Sequence, residues 1–211
     1  MLKKLFSISA FGLAISLPAA FAAPVTNGGA VPVVPAGGSS MVGTQVADTG
    51  VLNFTTSQYV SGTLRQEVYK ESSGTLDFYY LVSNNSSSVD NIGRLTTNNF
   101  AGFTTDVSYL TTGGTAPTDS DRSGAGDTVG FDFKGPNGNT LAAGTSSAWI
   151  EISTNATSFA FIGSSNIIDG NVASVTTYSP TAAPEPMSMS LLGAGLAGFG
   201  LLGLRRRSAK K

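Results

Sequence analysis

The central part of this 211-residue chain predicts an all-β fold, specifically an antiparallel β-sandwich. Three observations predict it. From Asp48 onward, short runs of β-branched and aromatic residues alternate with clusters of Gly, Asn, Ser and Asp. Within runs such as Leu64-Arg65-Gln66-Glu67-Val68, apolar and polar residues alternate, so each strand has one apolar and one polar face. No stretch of this region sustains a helical period.

The elements follow in chain order. Residues 1–22 predict a secretory signal peptide: Lys3 and Lys4, an apolar run from Leu5 to Leu17, Pro18, and an Ala20-Phe21-Ala22 cleavage site. That apolar run is shorter than the ~20 residues a spanning helix needs. Residues 23–47, with Pro24, Pro32 and Pro35, predict an extended Pro/Gly-rich linker, either disordered or a lone edge strand. Residues 48–180 predict the β-sandwich. Strands are expected at Val51–Phe54, Gly62–Tyr69, Leu76–Val82, Val89–Thr96, Asp106–Leu110, Val129–Phe133, Ala148–Ser153, Phe159–Ile162 and Ala173–Tyr178. Turns are expected at Ser72-Ser73-Gly74, Asn84-Asn85-Ser86, Thr112-Gly113-Gly114, Asn137-Gly138 and Asp169-Gly170. So many short strands require two stacked sheets.

The C-terminal end has three parts: Pro184-Glu185-Pro186, an uncharged apolar run from Met187 to Leu204, and Arg205-Arg206-Arg207 followed by Lys210 and Lys211. As a helix the run reaches roughly 27 Å at 1.5 Å per residue, close to a hydrocarbon core of ~30 Å. Small residues at Gly193, Ala194, Ala197 and Gly198 suit close helix contact in a bilayer. The basic cluster predicts a cytoplasmic stop, with the preceding domain outside. A single transmembrane helix is therefore expected here.

This end resembles a PEP-CTERM sorting signal over residues 184–211, in its motif, spacing, glycine pattern and arginine cluster. The resemblance implies an exosortase substrate: transient anchoring in the inner membrane, recognition at Pro184-Glu185-Pro186 by an exosortase-type membrane protease, and release to the cell surface or medium. It implies nothing about the activity of the domain upstream. Residues 141–178 also resemble the closing strands of a domain often found ahead of this tail, a resemblance that speaks only to fold.

Composition narrows the function classes. Outside the signal peptide, the apolar run and the basic tail, five basic residues (Arg65, Lys70, Arg94, Arg122 and Lys134) face thirteen acidic ones, counting Glu185, a net charge of −8. Such a surface repels phosphate backbones, so nucleic acid is not an expected partner. The chain has no cysteine and no histidine. A Ser-His-Asp triad and zinc sites of cysteine and histidine are therefore excluded.

Asp119-Ser120-Asp121-Arg122-Ser123-Gly124 matches the first half of a calcium loop. Asp119, Asp121 and Ser123 would supply oxygens, Gly124 the sharp turn, and Asp127 a further ligand. Gly130 stands where a bidentate Glu belongs, and an acidic hairpin loop without metal accounts for the same residues. Glu67, Glu71 and Glu151 are the carboxylates a glycosidase would need as a facing pair, but on these strands they are expected to face water. Tyr59, Tyr69, Tyr79, Tyr109 and Trp149 offer rings on which sugars could stack, against a default of core packing.

The expected function is non-enzymatic: an exported surface or extracellular-matrix protein with a structural or adhesive role beside exopolysaccharide in a biofilm. The alternative is a calcium-assisted carbohydrate-binding module, and the third reading is a secreted hydrolase.

Overall fold

The structure is a computed structural model that describes residues 22–56, 60–133 and 140–182. The expected signal peptide, the turn at Asn137-Gly138, Tyr59 and the C-terminal sorting segment lie outside these residues. The described residues are all-β, with no helix among them.

Thirteen strands form two sheets: β1 (Ala23–Pro24), β2 (Ala30–Pro32), β3 (Val34–Pro35), β4 (Thr44–Thr56), β5 (Val60–Lys70), β6 (Leu76–Asn84), β7 (Arg94–Thr97), β8 (Thr105–Tyr109), β9 (Asp119–Arg122), β10 (Val129–Asp132), β11 (Ile150–Thr154), β12 (Ser158–Ile168) and β13 (Val172–Thr181). The larger sheet runs β1-β8-β11-β6-β5-β4, and β3 shares the outer side of β8 with β1. The smaller sheet runs β13-β12-β7-β10-β9-β2. All strand pairings are antiparallel except β3 with β8.

The alternation read from the sequence builds the core. On β5, Leu64 and Val68 are fully buried; on β6, so are Phe78 and Tyr80; on β11, Ile150 and Ile152. The smaller sheet answers with Leu95, Val129, Phe131 and Ile167. Phe78 and Phe100 meet edge-to-face with centroids 5.7 Å apart, a favourable ring geometry. The glycine turns also form. Gly74 and Gly170 take positive φ, and Gly74 N–H donates to the Glu71 carbonyl at 2.9 Å to close its turn.

Three regions differ from the sequence expectation. Residues 23–35 are paired into both sheets rather than strung out as a linker: β1 and β3 extend the larger sheet and β2 extends the smaller. Proline sits in each of these strands, at sheet edges where a missing N–H costs no ladder bond. The strand expected from Val89 begins only at Arg94, because Val89 is exposed and forms a bend with Asp90. The expected calcium loop begins as a strand, β9, paired with β10 on one side and β2 on the other.

Candidate functional site

The outer face of the larger sheet gathers the acidic side chains. Register puts Ser108, Glu151, Tyr79 and Glu67 in one row across β8, β11, β6 and β5. Asp106, Ser153, Asp77 and Tyr69 make the next row. Two of the carboxylates weighed from sequence, Glu67 and Glu151, therefore stand on one face with Tyr79 between them.

This face is covered, which the sequence did not reveal. The chain leaves β3 at the β8 edge and enters β4 beyond β5. The intervening residues 36–43 must therefore pass β11, β6 and β5. They do so on the outer side: Ala36 N–H donates to the Tyr109 carbonyl at 2.7 Å, and Val42 N–H lies 3.5 Å from the Tyr79 hydroxyl. Between this strap and the sheet is a cavity of about 320 Å³, walled by Tyr79, Ser108, Glu151 and Ser153 below and by residues 36–42 above.

Cover changes the chemistry of the carboxylates. Glu151 accepts hydrogen bonds from the Tyr79 hydroxyl at 2.8 Å and from the Ser108 hydroxyl. Glu67 is 5 % exposed, not in open water as expected; it pairs with Arg65 at 2.8 Å and accepts from the Tyr69 hydroxyl at 3.1 Å. Asp77 is 2 % exposed and accepts from the Ser153 hydroxyl at 2.5 Å. Burial pushes the Asp77 carboxyl up to about 7; Ser153 opposes that, while Glu71 and Glu151 add to it. Burial and the Glu151 charge likewise push the Tyr79 hydroxyl up, so it stays a proton donor. Asp77 can thus hold a proton near neutral pH beside the hydrogen-bonded Glu151. The Asp77 carboxyl is buried and does not line the cavity under the strap.

The acidic segment 119–127 sits on the other sheet and is arranged differently. Asp119 and Asp121 project from the outer face of β9, while Ser120 and Arg122 point inward and are buried. Arg94 lies over the outer face and binds Asp121 at 2.6 Å and Asp132 at 2.7 Å. Gly130, where the Glu is missing, lies directly beneath the Arg94 guanidinium: a Cβ there would fall 2.0 Å from Arg94 Nη2, and the arginine would have to shift to admit it. Ser123 does not point to a shared ion position; its hydroxyl accepts from the N–H groups of Asp127 and Thr128 at 3.0 Å, closing a tight turn. Among the described residues no group of three or more acidic side chains is placed to hold a metal ion.

Sequence reasoning also passed over Arg122. Its buried guanidinium donates to the carbonyls of Gly126 at 3.0 Å, Phe100 at 2.7 Å and Phe103 at 2.8 Å. Among the described residues no carboxylate pairs with it. It ties β9 to the loops at one end of the sandwich. Of the aromatic candidates, Tyr79 is buried under the strap, while Tyr69, Tyr109 and Trp149 are half-buried.

No protein-family model, curated protein or solved structure matches the chain.

Proposed function

We propose that the chain is an exported surface or extracellular-matrix protein with a structural or adhesive role beside exopolysaccharide. An exosortase-type membrane protease sorts it through Pro184-Glu185-Pro186. The observation that carries this reading is the position of the three-part C-terminal end relative to the fold. The last strand, β13, ends at Thr181, three residues before Pro184. Among the described residues both sheets have all their strands by then. Cleavage at the motif removes the apolar run and the Arg205-Arg206-Arg207 cluster and leaves every strand of the described residues in place. A tail joined this closely to a finished domain is suited to removal, as with other C-terminal hydrophobic signals that are cut off during sorting.

Mass spectrometry of the protein from an exosortase-competent host tests the reading. The expected species begins near Ala23, ends close to Pro184-Glu185-Pro186 and is found outside the cell. A main species with both ends intact would overturn it.

A further inference from the structure

We propose that Phe161 and Ile162 are a lipid-contact surface, by which the domain rests on the bilayer before its C-terminal segment is removed. This inference rests on the reading of Met187–Leu204 as a membrane anchor.

A β-bulge makes the surface. In the β12–β13 pair, Ala160 lies opposite Ser179 and Gly163 opposite Thr177, so both Phe161 and Ile162 face the single residue Tyr178. The extra residue breaks the alternation that would otherwise turn one of the two inward. Phe161 is 48 % exposed and Ile162 61 %. The Phe161 ring lies 4.9 Å from the Tyr178 ring, and Phe159 packs edge-on against Tyr178 at 5.5 Å, so the exposed ring stands on an aromatic base. The other exposed large apolar side chains among the described residues are all valines: Val42, Val46, Val51, Val89 and Val172.

Position selects the occupant. Asn99 Nδ2 donates to the Ile162 carbonyl at 3.1 Å, which fixes the bulge beside the loop that starts at Asn99. The same loop walls a groove of about 420 Å³ with Asp127, Pro180, Thr181 and Ala182, where β13 ends. The bulge and the chain exit therefore share one end of the sandwich. From Thr181 to Met187 is six residues, which span at most ~20 Å when fully extended. If Met187 starts the apolar span, this end cannot stray far from the headgroups. Aromatic and apolar side chains are favoured at that depth. The domain is acidic and Asp127 lies in the groove, so attraction to anionic headgroups is not the driving force. The contact is apolar and forms on zwitterionic lipid.

The absence of cysteine allows a direct test. Three single-cysteine variants of the full chain, Ile162→Cys, Val89→Cys and Leu196→Cys, each carry an environment-sensitive fluorophore in phosphatidylcholine vesicles. Ile162 and Val89 are both exposed, so neither change should disturb the core. The label at position 162 is expected to shift to the blue, to be quenched by a lipid-borne quencher, and to resist aqueous iodide severalfold better than the label at position 89. A label at 162 as open to iodide as that at 89, while the label at 196 is in lipid, overturns the surface and leaves the anchor intact. A label at 162 that neither quencher reaches identifies a second copy as the occupant and also overturns it. A label at 196 in water overturns the anchor and this inference together.

Discussion

The two outer faces of the sandwich carry the same acidic residue types and handle them in opposite ways. On the smaller sheet, Asp121 and Asp132 remain partly exposed and are neutralised by one cation, Arg94. On the larger sheet, the strap of residues 36–43 covers Glu151 and Tyr79, and hydroxyl groups from neighbouring strands bond Glu151 and Asp77, while Glu67 keeps a cation, Arg65. The first arrangement leaves ordinary surface ion pairs, which water and salt weaken. On the larger sheet burial raises the proton affinity of Asp77 against the opposing Ser153 bond, because a buried carboxyl without a cation is cheaper neutral than charged. An acid-rich strand face becomes chemically unusual only when something dehydrates it.

The largest expected effect is on the pH dependence of stability. The Asp77 carboxyl rises from 3.8 to about 7 on folding, so the folded state binds more protons than the unfolded state between those values. Its stabilising contribution is therefore full below pH 3.8 and is lost as pH rises to about 7. The loss is on the order of 3 kcal/mol. Asp77→Asn should flatten this part of the urea-melt stability curve between pH 4 and pH 7. An unchanged slope in the variant would show that Asp77 titrates normally and that the covered face is not dry.

Next is the hydroxyl at the centre of that face. Tyr79→Phe keeps the ring but removes the donor to Glu151 and the oxygen near the Val42 amide. The expected cost is ~1–2 kcal/mol in chemical denaturation, since Glu151 loses a buried partner. Hydrogen exchange at residues 36–43 should speed up more than exchange in β10. Equal changes in both regions would mean that Tyr79 does not hold the strap.

How much of this was legible in the sequence depends on whether the cause is local. The strands built from alternating residues, such as β5 and β11, could be read because Leu64, Val68, Ile150 and Ile152 repeat at the period of the pleat. The glycine turns could be read because positive φ needs glycine at Gly74 and Gly170. β9 could not: its buried residues are Ser120 and Arg122, so the inward face carries no hydrophobic signal, and the acidic spacing suggested a loop instead. The covered face also could not. Glu67 and Glu151 are far apart in sequence, and the strap lies over them only because β3 and β4 join the larger sheet on opposite sides of β11 and β6. No local pattern encodes a crossing of that kind.

On the smaller sheet the expected effects are modest. Arg94→Gln breaks the ion pairs to Asp121 and Asp132, which are partly exposed. The expected cost is ~0.5–1 kcal/mol, shrinking as salt is added. A cost as large as that of Tyr79→Phe, or one indifferent to salt, would erase the contrast between the two faces.

The smallest expected effect is that of calcium on the unaltered chain, and it is the sharpest test of why the smaller sheet is arranged as it is. Arg94 already occupies the space between Asp121 and Asp132, and a cation placed there would meet a guanidinium. Melting in EDTA and in millimolar calcium at matched ionic strength should therefore coincide. Arg94→Gln removes the competing charge and leaves Asp119, Asp121 and Asp132 on one outer face across β9 and β10. Those three like charges repel, and a divalent cation relieves the repulsion better than monovalent salt. Because no three acidic side chains among the described residues are placed to share an ion, that relief should be diffuse: the variant's gain with calcium should be small and should not saturate as a bound ion does. A calcium-dependent rise in the parent would instead mean that Asp119, Asp121 and Asp127 bind the ion with Arg94 displaced, and would favour calcium-assisted carbohydrate binding. No response in either protein would mean that the carboxylates stand too far apart to share an ion, with or without Arg94.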